Sequence, residues 1–243
     1  MIVLFTDFGY RGPYVGQMQA VLAQQAPGIP VVELINDAPG FDPQAAAYLL
    51  AAYVEEFPID TVFLCVVDPG VGSAKRKPVM LQVDGRWFVG PDNGLLEVVA
   101  HRGQQVIWRE ISWRPEHLSA SFHGRDLFAP VAAELAKARL PEARLLEPRA
   151  SFSGPEDLAS IIYIDTFGNA ISGLRASQIP QAAKLQVHGH VLQQARTFSD
   201  VAVGQSFWHK NANGLAEIAV NQGHAGKQLA ITLGDELRII SRP

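Results

Sequence analysis

The strongest constraint on the fold is a short apolar run in the first third of the chain that ends abruptly in an acid. Residues 62–67 read Val-Phe-Leu-Cys-Val-Val, and Asp68, Pro69 and Gly70 follow directly. A run of this length without polar alternation is typical of a strand buried on both faces of a parallel sheet. Open α/β sheets bind ligands at the carboxyl ends of their strands, so Asp68 is a candidate site residue. More often, however, an acid at the end of a strand only shapes a turn and has no role in binding.

The segments around this run alternate between strand and helix patterns, which predicts a largely parallel sheet covered on both faces. Asp42 and Pro43 are a helix start, with Asp as the N-cap. Asp84 and Gly85 predict a hairpin turn. The predicted elements are strands at 2–6, 31–35, 62–67, 79–83 and 87–89, and helices at 14–25, 43–54 and 127–138.

The pattern changes near residue 141, where prolines at 141, 148 and 155 indicate a linker. Beyond it, short strand-like runs separated by glycines favour a small antiparallel sandwich or barrel. These runs lie at 161–164, 185–187, 215–220, 229–232 and 237–240. We therefore predict an N-terminal α/β domain, residues 1–145, and a C-terminal β-barrel-like domain, residues 156–243.

Bulk composition excludes several classes of protein. The net charge of -4 offers no basic surface for nucleic acid. The single cysteine excludes an internal disulfide, and no apolar stretch is long enough to span a bilayer. The first residues do not resemble a signal peptide. These features predict a soluble, cytoplasmic protein with no nucleic-acid or membrane partner.

Three predicted strands of the first domain end in acids, Asp7, Asp37 and Asp68. Parallel strands share one carboxyl edge, so we expect these carboxylates on one rim. Asp37 precedes Ala-Pro-Gly, and turn formation explains it. Asp7 lies before Phe8 and Gly9, where a carboxylate is able to accept hydrogen bonds from both hydroxyls of a ribose.

Two further segments of the first domain carry polar residues in tight turns. Gly90–Gly94 is dense in turn formers and by itself is typical of a loop. Phe122–Phe128 contains His123, a residue that more often caps or lies on the surface than catalyses. In the same segment Asp126 is predicted to cap the following helix, and Arg125 to pair with an acid.

In the second domain, Asp165, Phe167 and Asn169 surround a glycine turn after a predicted strand. Phe167 is suited to stacking on a base, and Asn169 carries the paired donor and acceptor that an adenine edge requires; an ordinary turn with a core Phe fits equally well. Glu217 and Asn221 fall on one face of a predicted strand by its period of two.

Common cofactor and hydrolase motifs are missing from the sequence. The Gly70–Ser73 stretch lacks the spacing of a phosphate-binding loop, and no GxGxxG follows the first strand. GxSxG and HExxH do not occur, and the histidines are too scattered to predict a zinc site. We therefore predict no metal site and no cofactor.

Six segments of the chain recur, in the same order and at similar spacing, in one family. On these segments the chain resembles the S-adenosyl-L-methionine (SAM) hydroxide adenosyltransferases, which are adenosine-forming SAM hydrolases related to the SAM-dependent fluorinase and chlorinase. The resemblance covers nearly the whole chain. The segments are Thr6–Gly9, Pro13–Gly16, Val66–Gly72, Gly90–Gly94, Phe122–Pro130 and Tyr163–Asn169.

The resemblance implies a fold and a reaction. The fold is an α/β domain followed by a β-barrel-like domain, assembled as a homotrimer with sites at subunit interfaces. In the reaction, water or hydroxide attacks C5′ of the SAM ribose and releases L-methionine and adenosine. The sulfonium is already a good leaving group, so alignment of the nucleophile suffices without a metal.

The resemblance also implies a catalytic set of Asp68, Arg76 and His123. Lys75 stands where some relatives carry the first Arg of a basic pair, and we favour Arg76 because its planar fork is suited to a carboxylate and an oxyanion. A close cation lowers the pKa of a carboxyl, so we expect Asp68 to be a weak base that positions water.

The resemblance also implies a substrate-binding role for each of several residues. Asp7 matches the carboxylate on the ribose diol, and Asn169 matches the adenine contact. The other matches are aromatic walls at Phe41 and Phe167, a residue near the methionine ammonium at Asp165, and the closing C-terminal segment at Glu217 and Asn221.

The chain also departs from its relatives. Gly12 stands where they commonly carry an acid before the proline. The halogenases carry Tyr at the position of Asp68 and Ser at that of Gly124, so this pair favours hydroxide over halide. Two alternatives stay open: a SAM- or adenosine-binding protein without significant turnover, and a metal-dependent hydrolase that uses Asp7, Asp68 and His123.

Overall fold

The computed structural model describes residues 1–149, 152–181 and 183–240. The chain divides into two compact units, Met1–Ser153 and Gly154–Pro243. Residues 182 and 241–243 of the predicted second domain lie outside the described residues. Within the described ranges, no helix combines the length and the apolar character needed to cross a bilayer.

The first unit is built on one seven-stranded sheet. Its strands are β1 (Ile2–Thr6), β2 (Val31–Ile35), β3 (Val62–Val66), β4 (Pro78–Val83), β5 (Arg86–Pro91), β6 (Val106–Ile111) and β7 (Ala143–Leu145). Their order across the sheet is β2-β1-β3-β5-β4-β6-β7. The neighbours from β2 to β5 are parallel, and the pairs beyond β5 are antiparallel. The predicted α/β class with a mostly parallel sheet is confirmed.

Helices pack on this sheet, and both of its faces are buried. The helices are α1 (Tyr14–Gln25), α2 (Pro43–Tyr53), α3 (Glu97–Arg102) and α4 (Ala129–Ala136). Met18 and Leu22 of α1 join α4 in a core against Ile2 and Leu4 of β1. The alternate β1 residue Phe5 points to the other face and is also fully buried. Every residue of β3 is buried, as its unbroken apolar run predicts.

The hairpin between β4 and β5 places β5 beside β3. Asp84 and Gly85 both have positive φ, 47° and 82°, as a type I′ turn requires. Since β1, β3 and β5 are parallel neighbours, their carboxyl ends lie along one edge of the sheet. The residues that follow them there are Asp7, Asp68 and Asp92.

The described residues of the second unit form two small antiparallel sheets, one short α-helix and two 3₁₀ turns at Ala176–Gln178 and Phe198–Asp200. Its elements are β8 (Leu158–Ile164), β9 (Ala170–Arg175), β10 (Lys184–Val187), β11 (His190–Leu192), β12 (Ser206–Lys210), β13 (Leu215–Val220), α5 (Ala225–Gln228) and β14 (Arg238–Ile240). The sheet orders are β12-β13-β9-β8 and β11-β10-β14. Ala216 and Ile218 of β13 pack in one core with Leu185 and Val187 of β10. The predicted antiparallel C-terminal β fold is confirmed.

The helix predicted at 127–138 is wrong at its start. The chain forms a π-helical turn at Gly124–Phe128 and then continues into α4. Asp126 does not cap this helix, because its Oδ2 accepts the backbone N–H of Ser119 at 2.9 Å. Asp126 also pairs with Arg125 at 2.6 Å, so the predicted pairing of Arg125 with an acid is confirmed.

The strand predicted at 229–232 is also wrong. These residues form no strand in the structure. The backbone N–H of Leu229 donates to the carbonyl of Ala225 at 2.9 Å and thereby closes the turn of α5. The run at 229–232 is too short to show either a helical or a strand period, so the sequence alone does not distinguish a turn there from a strand.

We expect Asp42→Ala to lower the free energy of unfolding by about 1 kcal/mol. The Oδ1 atom of Asp42 accepts the N–H of Ala45 at 2.9 Å, and alanine would leave that donor without its cap. Chemical denaturation followed by circular dichroism measures the change. Asp42→Asn keeps a capping oxygen and is the control; equal losses in both variants would contradict the capping role.

Candidate active site

A cleft of about 580 Å³ opens at the carboxyl edge of the sheet in the first unit. Its walls come from the ends of β1 and β3, from α1, from the loop before α2 and from the segment that precedes the π-helical turn. Four of the predicted site residues line it together: Asp7, Phe41, Asp68 and His123. Asp37, the third strand-end acid, is not among the lining residues.

Asp7 is held at one side of the cleft by backbone contacts. Its N–H donates to the carbonyl of Val66 at 3.3 Å, and its Oδ2 accepts the N–H of Phe41 at 3.3 Å. Phe41 has a φ of 59°, in the left-handed region, and it is 83% exposed. Burial raises the pKa of Asp7, and the Phe41 hydrogen bond partly opposes this rise. A carboxylate and an uncovered aromatic ring therefore stand side by side.

Asp68, Arg76 and His123 form one connected set. Arg76 Nη2 lies 2.8 Å from Asp68 Oδ2 and 2.9 Å from His123 Nδ1. Only 4% of the Asp68 side chain and 7% of the Arg76 side chain are exposed. The guanidinium also lies over the ring of Phe128, 5.7 Å from its centroid. Lys75, the other cation considered for this position, is exposed.

The contact with Arg76 fixes the tautomer of His123. A guanidinium has only donors, so His123 Nδ1 must accept from it. Burial, the charge of Arg76 and the charge of Arg114 all lower the pKa of His123, which favours a neutral ring. A neutral ring that accepts at Nδ1 carries its proton on Nε2. His123 therefore acts as a hydrogen-bond donor through Nε2.

The expectation that Asp68 has a lowered pKa is wrong. Burial raises the pKa of Asp68, and the nearby Asp7 charge adds to the rise. The Arg76 charge and the backbone N–H of Gly70 lower it, but they only partly offset the loss of solvation. Asp68 is therefore a stronger base than a solvated aspartate, although it touches a cation.

Three aromatic rings that the sequence did not single out form another wall of the cleft. Phe8, Tyr14 and Phe122 contact one another, with ring centroids 5.3 to 5.8 Å apart. Arg125 lies over the ring of Phe122 at 5.1 Å and donates to Gln17 Oε1 at 2.8 Å. The i, i+3 spacing of Tyr14 and Gln17 places both on one face of α1, where Tyr14 contacts Phe122 and Gln17 contacts Arg125.

Gly124 packs tightly beneath His123, where the π-helical turn begins. A methyl group there would lie 3.1 Å from Met18 Sδ, 3.3 Å from Phe8 Cζ and 3.4 Å from Phe122 Cε2. Any side chain at this position must displace one of these groups. The π turn thus lets the chain bring His123 into the cleft with little space beneath it.

In the second unit, Asp165 organises a turn that contains Phe167 and Asn169. Its Oδ1 accepts the backbone N–H groups of both residues at 2.9 Å, and its Oδ2 accepts Asn169 Nδ2 at 2.9 Å. Phe167 is 77% exposed, while Asn169 is buried. A Cβ at Gly168 would overlap the ring of His224, so this turn requires glycine. The turn presents an open aromatic face beside a fixed amide.

Glu217 and Asn221 do not act as one pair in the second unit. Glu217 is buried and contacts His209 Nε2 at 3.3 Å and Asn211 Nδ2 at 3.1 Å. Asn221 lies just after β13, and its Nδ2 donates to the carbonyl of Val201 at 2.8 Å. Both side chains therefore have partners within their own unit.

No metal-binding group is apparent in the part of the chain that the structure describes. No three His, Cys, Asp or Glu side chains there are placed to share an ion. Asp7, Asp68 and His123 line the same cleft, but they do not form such a group.

Comparison with known families gives a match in both units. A family model described as the SAM hydroxide adenosyltransferase N-terminal domain matches residues 2–144. The model for the C-terminal domain of the same family matches residues 159–238.

Similar proteins agree with these matches. The chain is 37% identical to an (R)-S-adenosyl-L-methionine hydrolase from Thermus thermophilus, over 98% of this chain and 99% of that protein. It is 37% identical to a protein of the same name from Salinispora tropica, over 96% and 95%. A fluorinase from Actinoplanes is 24% identical over 56% of this chain and 54% of its own. A solved structure of an uncharacterised conserved protein from Thermotoga maritima matches with a TM-score of 0.86 and 31% identity, over 99% and 100%.

We expect Arg76→Met to raise the pKa of Asp68 further. The Arg76 charge lowers that pKa, and methionine keeps most of the side-chain volume without the charge. Carbon-13 NMR titration of the aspartate carboxyls measures the shift. Lys75→Met removes an adjacent but exposed cation and is the matched control. An unchanged Asp68 titration in Arg76→Met would contradict the ion pair.

Proposed function

Because the chain belongs to the SAM hydroxide adenosyltransferase family, we propose that it hydrolyses S-adenosyl-L-methionine to adenosine and L-methionine. The observation that carries this proposal is the contact of Arg76 with both Asp68 and His123, beside Asp7, at the edge of the sheet. A buried acid and a neutral imidazole joined through one guanidinium are suited to holding and deprotonating a water molecule.

The reaction is a displacement at C5′ of the ribose. The water oxygen forms a bond to C5′ while the C5′–S bond breaks. The electron pair of the C5′–S bond goes to sulfur. The sulfonium becomes the neutral thioether of methionine. One proton of the water remains in the 5′-hydroxyl of adenosine, and the other passes to Asp68. The main task of the protein is to align water opposite sulfur and to exclude other solvent.

Asp68, Arg76 and His123 divide this task in our proposal. Asp68 accepts the proton, and its raised pKa makes it a better acceptor than a solvated carboxylate. Arg76 lowers the pKa of Asp68 through its charge and holds His123 through Nδ1. His123 then donates from Nε2 to the water oxygen and orients its lone pair toward C5′.

The substrate-binding roles follow from the chemistry of each side chain. Asp7 accepts the ribose hydroxyls, and the exposed ring of Phe41 lies beside it as one wall. Asn169 binds the adenine edge and Phe167 stacks on the base. The remaining proposed contacts are Asp165 near the methionine ammonium, and Glu217 and Asn221 in the closing segment.

The choice of oxygen over halide is supported by the floor of the cleft. A halide needs a pocket of donors, whereas Asp68 presents a carboxylate that would repel an anion. A Cβ at Gly124 would lie 3.1 to 3.4 Å from Met18, Phe8 and Phe122, so little room remains there for a hydroxyl-bearing side chain. Water, which is neutral and is able to donate to Asp68, fits this lining.

The protein acts on SAM as a substrate in this proposal, with no metal or other cofactor. We also propose that it assembles as a homotrimer, which light scattering of the purified protein would test. A cytoplasmic location and the lack of nucleic-acid or membrane partners stay predictions from the sequence.

We expect the purified protein to convert SAM to adenosine and methionine, and Asp68→Ala to reduce kcat by about 10²- to 10⁴-fold. Removal of Asp68 deletes the proton acceptor but leaves Asp7 in place, so adenosine should still bind. Chromatography of the nucleosides measures turnover, and calorimetry measures binding.

The control for this experiment is Glu134→Gln, which removes an ion pair with Lys137 on α4. It should leave turnover unchanged. Intact SAM after incubation with the wild-type protein, together with tight adenosine binding, would favour the binding protein without turnover. Near-full turnover by Asp68→Ala would remove Asp68 from the mechanism.

We expect turnover to survive exhaustive chelation. The leaving sulfonium requires no Lewis acid, and the proposed proton acceptor is a side chain. Turnover is measured before and after treatment with EDTA and removal of the chelator. Loss of activity that returns on addition of one divalent cation would favour the metal-dependent hydrolase.

A further inference from the structure

Asp68 and Arg76 lie on one long loop, which joins β3 to β4. The loop contains successive turns: the N–H of Val71 donates to the carbonyl of Asp68 at 3.2 Å, and that of Arg76 donates to Ser73 at 3.3 Å. Loops built from turns move more readily than strands. The 2.8 Å contact between Asp68 and Arg76 therefore depends on whatever holds the two ends of this loop.

A second loop, Asp92–Gly94 after β5, is bonded to both ends. Asn93 Nδ2 donates to the carbonyl of Val67, directly before Asp68, at 2.8 Å. The N–H of Asp92 donates to the carbonyl of Lys77, directly after Arg76, at 2.8 Å. We call Asp92–Gly94 the supporting loop.

The supporting loop is itself held by an ion-pair cluster. Arg149 Nη2 lies 2.9 Å from Asp92 Oδ1, and Nη1 of the same residue pairs with Glu97 at the start of α3. The guanidinium stacks on the ring of Trp108 at 3.6 Å from its centroid. These contacts hold Asp92 in addition to its hydrogen bond to Lys77.

Close backbone packing adds to this support. A Cβ at Gly90 would lie 2.3 Å from the carbonyl oxygen of Cys65, so β5 approaches the end of β3 as only glycine permits. In the middle of the loop between β3 and β4, Gly72 has a φ of 82°, and a Cβ there would lie 2.7 Å from the carbonyl oxygen of Ala120. The loop is therefore held at both ends by hydrogen bonds and packs closely against Ala120 at its centre.

We propose that Asn93 is a positioning residue that sets the separation of Asp68 and Arg76 through its bond to the Val67 carbonyl. Asn93 does not line the cleft, so it acts through these two residues rather than on substrate. A displacement of about 1 Å in a reacting group lowers turnover by about 10²-fold. Loss of the Asn93 bond acts on kcat in this way and has little effect on KM.

The test is Asn93→Asp, and it rests on the proposed function. The substitution keeps the size of the side chain and the acceptor for the N–H of Leu95, but it places an oxygen against the Val67 carbonyl. We expect kcat for SAM to fall about 10- to 100-fold with KM within about two-fold of wild type. We also expect the acid limb of the pH profile to move to higher pH in the neutral variant Asn93→Ala, because Arg76 lowers the pKa of Asp68 less when it is farther away. In Asn93→Asp the added carboxylate raises that pKa by itself, so the neutral variant decides this part of the test.

Asn93→Ala is the second variant, and Arg86→Met is the matched control. Arg86 also donates to a backbone carbonyl, that of Phe57 at 2.7 and 2.9 Å, but from the opposite end of β5. The control should keep the wild-type kcat and pH profile. If Asn93→Asp does not fold, as judged by its thermal midpoint, the proposal is tested by the kcat, KM and pH profile of Asn93→Ala.

A kcat within about two-fold of wild type in the folded variant would overturn the proposal. A lower kcat with an unchanged pH profile would overturn it too, since support of the fold alone would explain that result. The proposed function fails separately, if the wild-type protein releases no adenosine from SAM.

Discussion

The buried contact of Arg76 with Asp68 and His123 is the interaction on which the site depends. One guanidinium neutralises an acid that burial would otherwise favour protonating, and it fixes the proton of an imidazole on the opposite nitrogen. Removal of the cation would leave a buried carboxylate without compensation, which is costly in an interior of low polarity. The charge of Arg76 therefore influences the protonation of both Asp68 and His123.

The sheet supplies the geometry of this set. Parallel pairing of β1, β3 and β5 brings the residues after each strand to one edge. Asp7 and Asp68 come from neighbouring strand ends. The residues after β5 support the loop between β3 and β4. His123 comes from a separate segment, directly before the π-helical turn that leads into α4. The two acids thus lie just beyond strand ends, and the imidazole lies beside an irregular helical turn.

Local patterns in the sequence predicted the elements whose cause is local. The β4–β5 hairpin followed from Asp84 and Gly85, because only such residues adopt two successive positive φ angles easily. The run at 62–67 predicted a central strand. In contrast, the net pKa direction of Asp68 depends on how deeply the fold buries it, and a neighbouring cation in the sequence gives no measure of that depth. The partner of Asn93 is the Val67 carbonyl, a contact between distant segments with no local signal.

The turn around Asp165 has a consequence for the interpretation of genetic data. One carboxylate accepts three N–H groups and so defines the path of Phe167 and the orientation of the Asn169 amide. An alanine at 165 would collapse that path as well as delete a charge. A phenotype caused by a substitution of Asp165 would therefore combine effects at Asp165, Phe167 and Asn169. Only a substitution that keeps the hydrogen-bond acceptors in place would separate these effects.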